Sequence, residues 1–216
     1  MKKICLAIPT KHEVEKQVLD ISKKLKINTI ITGIATPLTL FRLNNCILNN
    51  KPDFIIFAGI AGAFNKNLKL GEVVQVISDV FADLIVLSNQ KKLLYINNLN
   101  KSYTVLNNKQ NSSLTKSLIS DLNLKKVKGI TVNSLYKTKT LNSFFKKNFY
   151  PDIETMENAV VFFLCKKYSI PFLSIRAISN YVNQPKNKWE IKKATNNLSQ
   201  ILINILNKLE KITNEQ

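Results

Sequence analysis

The chain has 216 residues, 45% of them hydrophobic, and a formal net charge of +18. That length supports one large domain with a proper core, and no apolar run approaches the ~20 residues of a membrane-spanning helix. Such a charge ordinarily suggests nucleic acid, but only Arg42 and Arg176 of the 32 basic residues are arginine, and direct base readout leans on arginine forks. The lysines are dispersed among asparagines and isoleucines, as an AT-biased genome would place them, so they read as solvated surface.

Lys3 to Ile8 reads as a first strand. Its apolar run stops at Pro9, too short for a signal-peptide core, and a cytoplasmic location is expected. His12 to Lys26 carries apolar residues at helical spacing, with Thr10 and Glu13 placed as a capping box. Ile27 to Ile31 is a second strand closing at Gly33. Pro37 opens a helix that ends in Asn49-Asn50-Lys51-Pro52. Phe54 to Ala58 is a continuous apolar run of the buried parallel type. The glycine-containing stretch Gly59-Ile60-Ala61-Gly62 comes next, and GEVVQVISDVF then reads as a strand.

From Asp83 to Lys126 the pattern is weak, with a strand-like LLYI and a helix near Ser113 to Leu122. Lys128 to Asn133 is strand-like, Thr140 to Lys147 helical, Asp152 to Met156 a short strand, and Asn158 to Tyr168 a helix. Phe172 to Ile178 forms a strand ending in Ser179 and Asn180. Trp189 to Leu209 is a long amphipathic helix. Strands alternating with helices, without linkers or repeats, argue for one three-layer α/β/α domain over residues 1–216.

Cys5, Cys46 and Cys165 stand far apart in apolar runs, and His12 is the single histidine. No metal-ligand spacing or disulfide framework follows, and no metal or cofactor is expected. The five glycines mark places where a side chain does not fit. Gly59 and Gly62 follow a buried strand, where backbone N–H groups can face a ligand at the sheet edge; a tight turn is an equal reading. Glu13, Glu157 and Asn180 each fall just beyond a strand on that same edge. Either glutamate, taken singly, is more simply a helix cap or dipole partner. Arg176 lies inside the apolar run FLSIRAIS and needs a buried partner; Glu157 or Glu154 would serve.

The blocks AGIAGAFNKNLKLGEVVQV, GITVNS and ETMENAVVFFLC…IPFLSIRAISNYV, in this order, resemble the purine nucleoside phosphorylase and nucleosidase superfamily. The resemblance spans nearly the whole chain, weakest from Ile85 to Lys126, and implies that family's mixed central sheet. Within it, Asn180-Tyr181-Val182, the tail KNKWEIKKATNNL and the segment ISDVFADL are most similar to futalosine hydrolases, which serve the futalosine route to menaquinone. The resemblance assigns Met156 and Glu157 to the ribose and Glu13 to activation of water. It makes Gly59, Ile60, Ala61 and Gly62 the loop after the strand that passes beside sugar and base, and counts Val132 and Asn133 among the substrate-binding residues. Arg176, Ser179 and Asn180 fall in the motif that reaches the purine. It further implies a purine nucleoside as partner and a homodimer or higher oligomer.

These residue types suit N-glycoside cleavage. A carboxylate stabilises the oxocarbenium-like sugar, and a second one takes a proton from water. Adenine-specific relatives carry aspartate where this chain has Asn180. Asparagine does not readily supply a proton, but its amide pairs with a 6-oxopurine, which favours hypoxanthine. Phosphorolysis needs a cationic phosphate site, and Pro9-Thr10-Lys11-His12 holds no arginine, so water is the expected nucleophile. Methylthioadenosine nucleosidase, purine nucleoside phosphorylase and a non-catalytic nucleic-acid-binding protein stand as alternatives. The 5′ end of futalosine calls for a polar donor and an aromatic ring, with Phe81 and Tyr136 as candidates.

Overall fold

A computed structural model describes residues 3–87, 93–95, 113–134 and 138–214. Seven strands form the main sheet: β1 (Ile4–Ile8), β2 (Asn28–Ile31), β3 (Phe54–Ala63), β4 (Val73–Ser78), β7 (Lys125–Thr131), β8 (Ile153–Thr155) and β9 (Phe172–Tyr181). Two short strands, β5 (Ile85–Leu87) and β6 (Leu93–Tyr95), make a separate antiparallel pair. Among the described residues the α-helices are α1 (Lys16–Lys24), α2 (Thr36–Asn50), α3 (Ser113–Ile119), α4 (Lys139–Phe149), α5 (Asn158–Lys167) and α6 (Ile191–Asn214). Tyr136 lies outside the described residues.

The expected mixed-sheet α/β architecture is present. Its strand order is β2-β1-β3-β8-β7-β4-β9, and β9 also pairs with β3. The last five strands therefore close into a ring, with β1 and β2 extending from β3 as a parallel wing. β3 is the hub: it runs parallel to β1 and β9 and meets β8 antiparallel at Gly62 and Ala63.

Alternation along the strands sorts the core. Phe54, Ile56 and Ala58 of β3, with Leu173, Ile175 and Ala177 of β9, pack with α6 through Ala194, Leu198, Leu202, Ile205 and Leu206. Ile55 and Phe57 face the opposite side, against Leu43 and Ile47 of α2 and Val160 and Leu164 of α5. Helices thus cover both faces, as the apolar spacing predicts.

Three expectations change. The first helix begins at Lys16, preceded by a 3-10 turn over Lys11–Glu13, and the capping box does not form. Glu13 turns toward β3, while the Glu15 N–H donates to Ser199 Oγ on α6 at 2.8 Å. Gly59 to Gly62 is no loop: β3 continues through it to Ala63, because β9 and β8 supply partners on both sides. Ser179 and Asn180 likewise lie within β9. The register steps from Ala61 opposite Ile178 to Gly62 opposite Asn180, leaving Ser179 as the extra residue of a bulge. Bulges re-aim side chains near functional sites.

Candidate active site

Glu13, Glu157 and Arg176 come together over the middle of β3. Glu13 Oε2 accepts from the Ile60 N–H at 2.8 Å, and Thr10 Oγ1 donates to Glu13 Oε1 at 3.2 Å. Glu157 is the residue before α5, yet its side chain caps no helix N–H. Its Oε1 accepts instead from the Ala35 N–H at 3.2 Å, where α2 begins. The carboxylates are 8% and 5% exposed. Burial raises the pKa of both, Glu157 to about 7; Arg176 opposes the shift, and Glu13 adds to that of Glu157.

Arg176 is completely buried beneath them. Its guanidinium carbon stands 4.2 Å from the Phe57 ring centroid, and its Nη2 donates to Asn158 Oδ1 at 3.5 Å. Nε and Nη1 have no hydrogen-bond partner among the described residues. Burial pulls its pKa down, while Glu157, Glu13 and Asp79 hold it up. Glu154 exerts no such effect, so the counter-charges are Glu157, Glu13 and Asp79 rather than Glu154. Gly59 is explained by this crowding. A Cβ there would sit 2.6 Å from Glu13 Oε2 and collide with Arg176 Nη1.

Behind Arg176 lies a buried polar network that sequence reasoning did not find. Asp79 Oδ1 accepts from Thr131 Oγ1 and from the Val80 N–H, both at 2.8 Å. Asp79 Oδ2 accepts from Asn158 Nδ2 at 2.9 Å, and Asn158 Oδ1 accepts from Ser174 Oγ at 2.6 Å. The Asn158 N–H donates to Thr155 Oγ1 and the Ala159 N–H to Thr131 Oγ1. Burial lifts the Asp79 pKa to about 6 against these hydrogen bonds.

At the far end of β3, Gly62 pairs with Asn180 on one side and Glu154 on the other. Ser179 Oγ lies 2.8 Å from Asn180 Oδ1 and 3.2 Å from the Ala61 carbonyl, and Asn180 Nδ2 donates to the Tyr181 carbonyl at 3.1 Å. Ser179 and the Tyr181 carbonyl thus fix the plane of the Asn180 amide. Two residues of strand separate Gly62 from Ile60, roughly 7 Å. An acidic end and an amide end on one strand suit a ligand with a hydroxylated ring joined to a heterocycle.

The remaining predicted residues fall around this axis. Met156 is half-buried, and its backbone hydrogen bond favours the Glu157 carboxylate. Val132 is buried with Phe145 and Ile130, and its N–H donates to the Thr155 carbonyl. Asn133 is exposed and ties the start of α2 to a loop: its Oδ1 accepts from the Thr36 N–H at 3.0 Å, and its Nδ2 donates to Asp83 at 3.2 Å. Phe81 packs against the core on the α2 and α5 side. Arg42, the other arginine, donates from the α2 surface to the Ile31 carbonyl at 3.1 Å. Among the described residues no cluster of His, Cys, Asp or Glu is arranged to hold a metal, and no helix is long and apolar enough to cross a membrane.

Comparison with known proteins agrees with this architecture. A 5'-methylthioadenosine/S-adenosylhomocysteine nucleosidase of Buchnera aphidicola subsp. Baizongia pistaciae is 29% identical over 196 residues, 88% of this chain and 74% of that protein. The solved Campylobacter jejuni nucleosidase of the same name superposes with a TM-score of 0.78 at 18% identity, covering 98% of this chain and all of that one. Native futalosine hydrolase of Helicobacter pylori gives 0.72 at 18% identity, covering 100% of this chain and 98% of its own. These relatives are nucleosidases, which hydrolyse N-glycosidic bonds. The sequence pattern of the phosphorylase superfamily matches residues 21–208, most of the sheet and both helical layers, and the chain belongs to that superfamily.

Proposed function

We propose that this protein is an N-ribosyl hydrolase of a 6-oxopurine nucleoside, and that its substrate is futalosine, cleaved to hypoxanthine and dehypoxanthine futalosine. Asn180, held by Ser179 at the amide end of β3, carries this reading. An amide offers an N–H to a 6-oxo group and an oxygen to a ring N–H. Glu157 takes the ribose hydroxyls and stabilises the positive charge that grows on the sugar. Glu13, anchored by the Ile60 N–H, accepts the proton of the attacking water. Gly59 to Gly62 and Met156 lie against sugar and base, and Val132 and Asn133, just after β7, contribute to substrate binding. Arg176 braces the two carboxylates from below. Water is favoured over phosphate because Arg176 is buried and Arg42 is occupied on α2. The enzyme works in the cytoplasm without cofactor.

A second reading, methylthioadenosine/adenosylhomocysteine nucleosidase, is favoured by the 29% identity to the Buchnera protein. Chromatographic assay with futalosine, methylthioadenosine and inosine, each with and without phosphate, separates these. Release of hypoxanthine from futalosine without phosphate is expected. Release of adenine from methylthioadenosine alone would overturn the Asn180 argument, and phosphate-dependent inosine cleavage would make the protein a phosphorylase.

We also place a homodimer contact on α2, where Leu38, Phe41 and Leu48 form an exposed apolar stripe at helical spacing. Light scattering tests it: a Phe41→Glu variant is expected to shift the mass toward the monomer, and an unchanged mass would remove the proposal.

A further inference from the structure

Asn180 leaves a gap in the reaction. The departing purine leaves most easily when N7 receives a proton, and an amide has none to give at neutral pH. Glu154 stands at the same corner. Its Oε1 lies 3.4 Å, and Asn180 Nδ2 3.1 Å, from the point a Cβ on Gly62 would occupy, so both groups border the space left by one absent methyl. Glu154 is 7% exposed, and neither of its oxygens has a hydrogen-bond partner among the described residues. Thr155, its neighbour on β8, is tied into the Asp79 network by Asn158 and Thr131, whereas Glu154 projects to the other side of the strand.

We propose that Glu154 is the general acid of this site, donating its proton to N7 of the purine while Asn180 orients the base. This rests on the hydrolase reading above. As the C1′–N9 bond breaks, its electron pair passes into the purine ring system and N7 takes the Glu154 proton. Water adds to C1′, and its proton passes to the Glu13 carboxylate. The net change is addition of one water across the glycosidic bond, and exchange with solvent returns the proton from Glu13 to Glu154.

The surroundings of Glu154 suit an acid. From β3 it meets the bare Gly62, from β9 Asn180, and from β7 the backbone of Ile130. No charged group shifts it, and burial alone lifts its pKa to about 7. The Arg176 charge acts on Glu13, Glu157 and Asp79. Glu154 therefore keeps its proton near neutral pH without a cation to draw it off, whereas at Glu13 and Glu157 the Arg176 charge opposes the effect of burial.

The test compares Glu154→Gln with wild type on futalosine and on N7-methylated futalosine, whose base already carries a positive charge and needs no proton. The same pair built on methylthioadenosine is run alongside. On the parent nucleoside kcat is expected to fall about 100-fold or more, and the alkaline limb of the wild-type pH profile near 7 should disappear. On the N7-methylated substrate Glu154→Gln should stay within about threefold of wild type, a result that also shows the variant to be folded. Adding Asn180→Asp should restore part of the lost rate by supplying a new acid. Equal losses on both substrates, or no loss on either, would overturn the proposal while leaving the hydrolase reading intact. Wild-type inactivity on every nucleoside would remove the reading itself.

Discussion

The two sides of Arg176 are built on opposite plans. Toward the ring interior, both oxygens of Asp79 and the side-chain amide of Asn158 have named partners. Toward β3, Glu13 accepts from the Ile60 N–H and the Thr10 hydroxyl and Glu157 from backbone N–H groups, but among the described residues Glu154 has no hydrogen-bond partner and two guanidinium nitrogens stay bare. Buried polar groups are normally satisfied, and a satisfied network fixes structure. Unsatisfied ones raise the free energy of the empty site, a cost that a ligand's hydroxyls and base nitrogens offset. The satisfied side is architecture, and the unsatisfied side is where a nucleoside fits.

Substitutions can break this contrast in order of effect. Arg176→Met strips the counter-charge from both sides. It is expected to cost about 3–5 kcal/mol, visible as a collapse of the urea midpoint; a wild-type midpoint would mean the carboxylates do not depend on it. Glu157→Gln should lower kcat/KM about 1,000-fold while the urea midpoint at pH 8 holds or rises, since a neutral amide relieves a buried charge. Wild-type turnover would take Glu157 out of the mechanism.

Asp79→Ala, on the satisfied side, should do the reverse. It leaves Asn158 and Thr131 without an acceptor and destabilises by about 1–3 kcal/mol, whereas kcat of the remaining folded protein changes little. A large kcat loss at unchanged stability would place Asp79 with the reacting groups. The smallest effect is on pH. Glu154 and Glu157 near 7 and Asp79 near 6 all stand above their ordinary values. The folded state therefore keeps protons that the unfolded chain has released, and stability should fall as pH rises from about 4.5 to 7. Melting scans should give a lower Tm at pH 8 than at pH 5.5. A rise in Tm with pH would show these groups paired.

Much of this was legible in the chain. Apolar runs such as FIIFA and the spacing of Ala194, Leu198 and Leu202 announce their elements because burial on a strand or helix face repeats with fixed period. Glu13, Glu157 and Asn180 could be placed at strand ends, and motif resemblance gave them roles that remain to be tested by substitution. The rest depended on pairings distant in sequence. Gly59 to Gly62 reads as a loop until β8 and β9 are known to flank it. Asp79, Thr131, Asn158 and Ser174 are single polar residues on four different segments, and no local spacing ties them together. The SD pair that closes β4, an acid ending an otherwise apolar strand, was the signal available for Asp79. An arginine inside the apolar run FLSIRAIS needs a buried carboxylate, but which acids answer Arg176 is decided by the ring.

That ring carries a consequence for how activity is acquired. β9 joins β3 to β4, closing a circuit whose members span Phe54 to Tyr181, and contacts between such distant segments form late because the loops between them must first be ordered. The strand that closes the circuit is also the one that carries Arg176, Ser179 and Asn180. A refolding chain therefore gains its last architectural joint and its base-reading amide in the same step, so catalysis should return with the slowest phase of folding and no partly assembled form should turn over substrate.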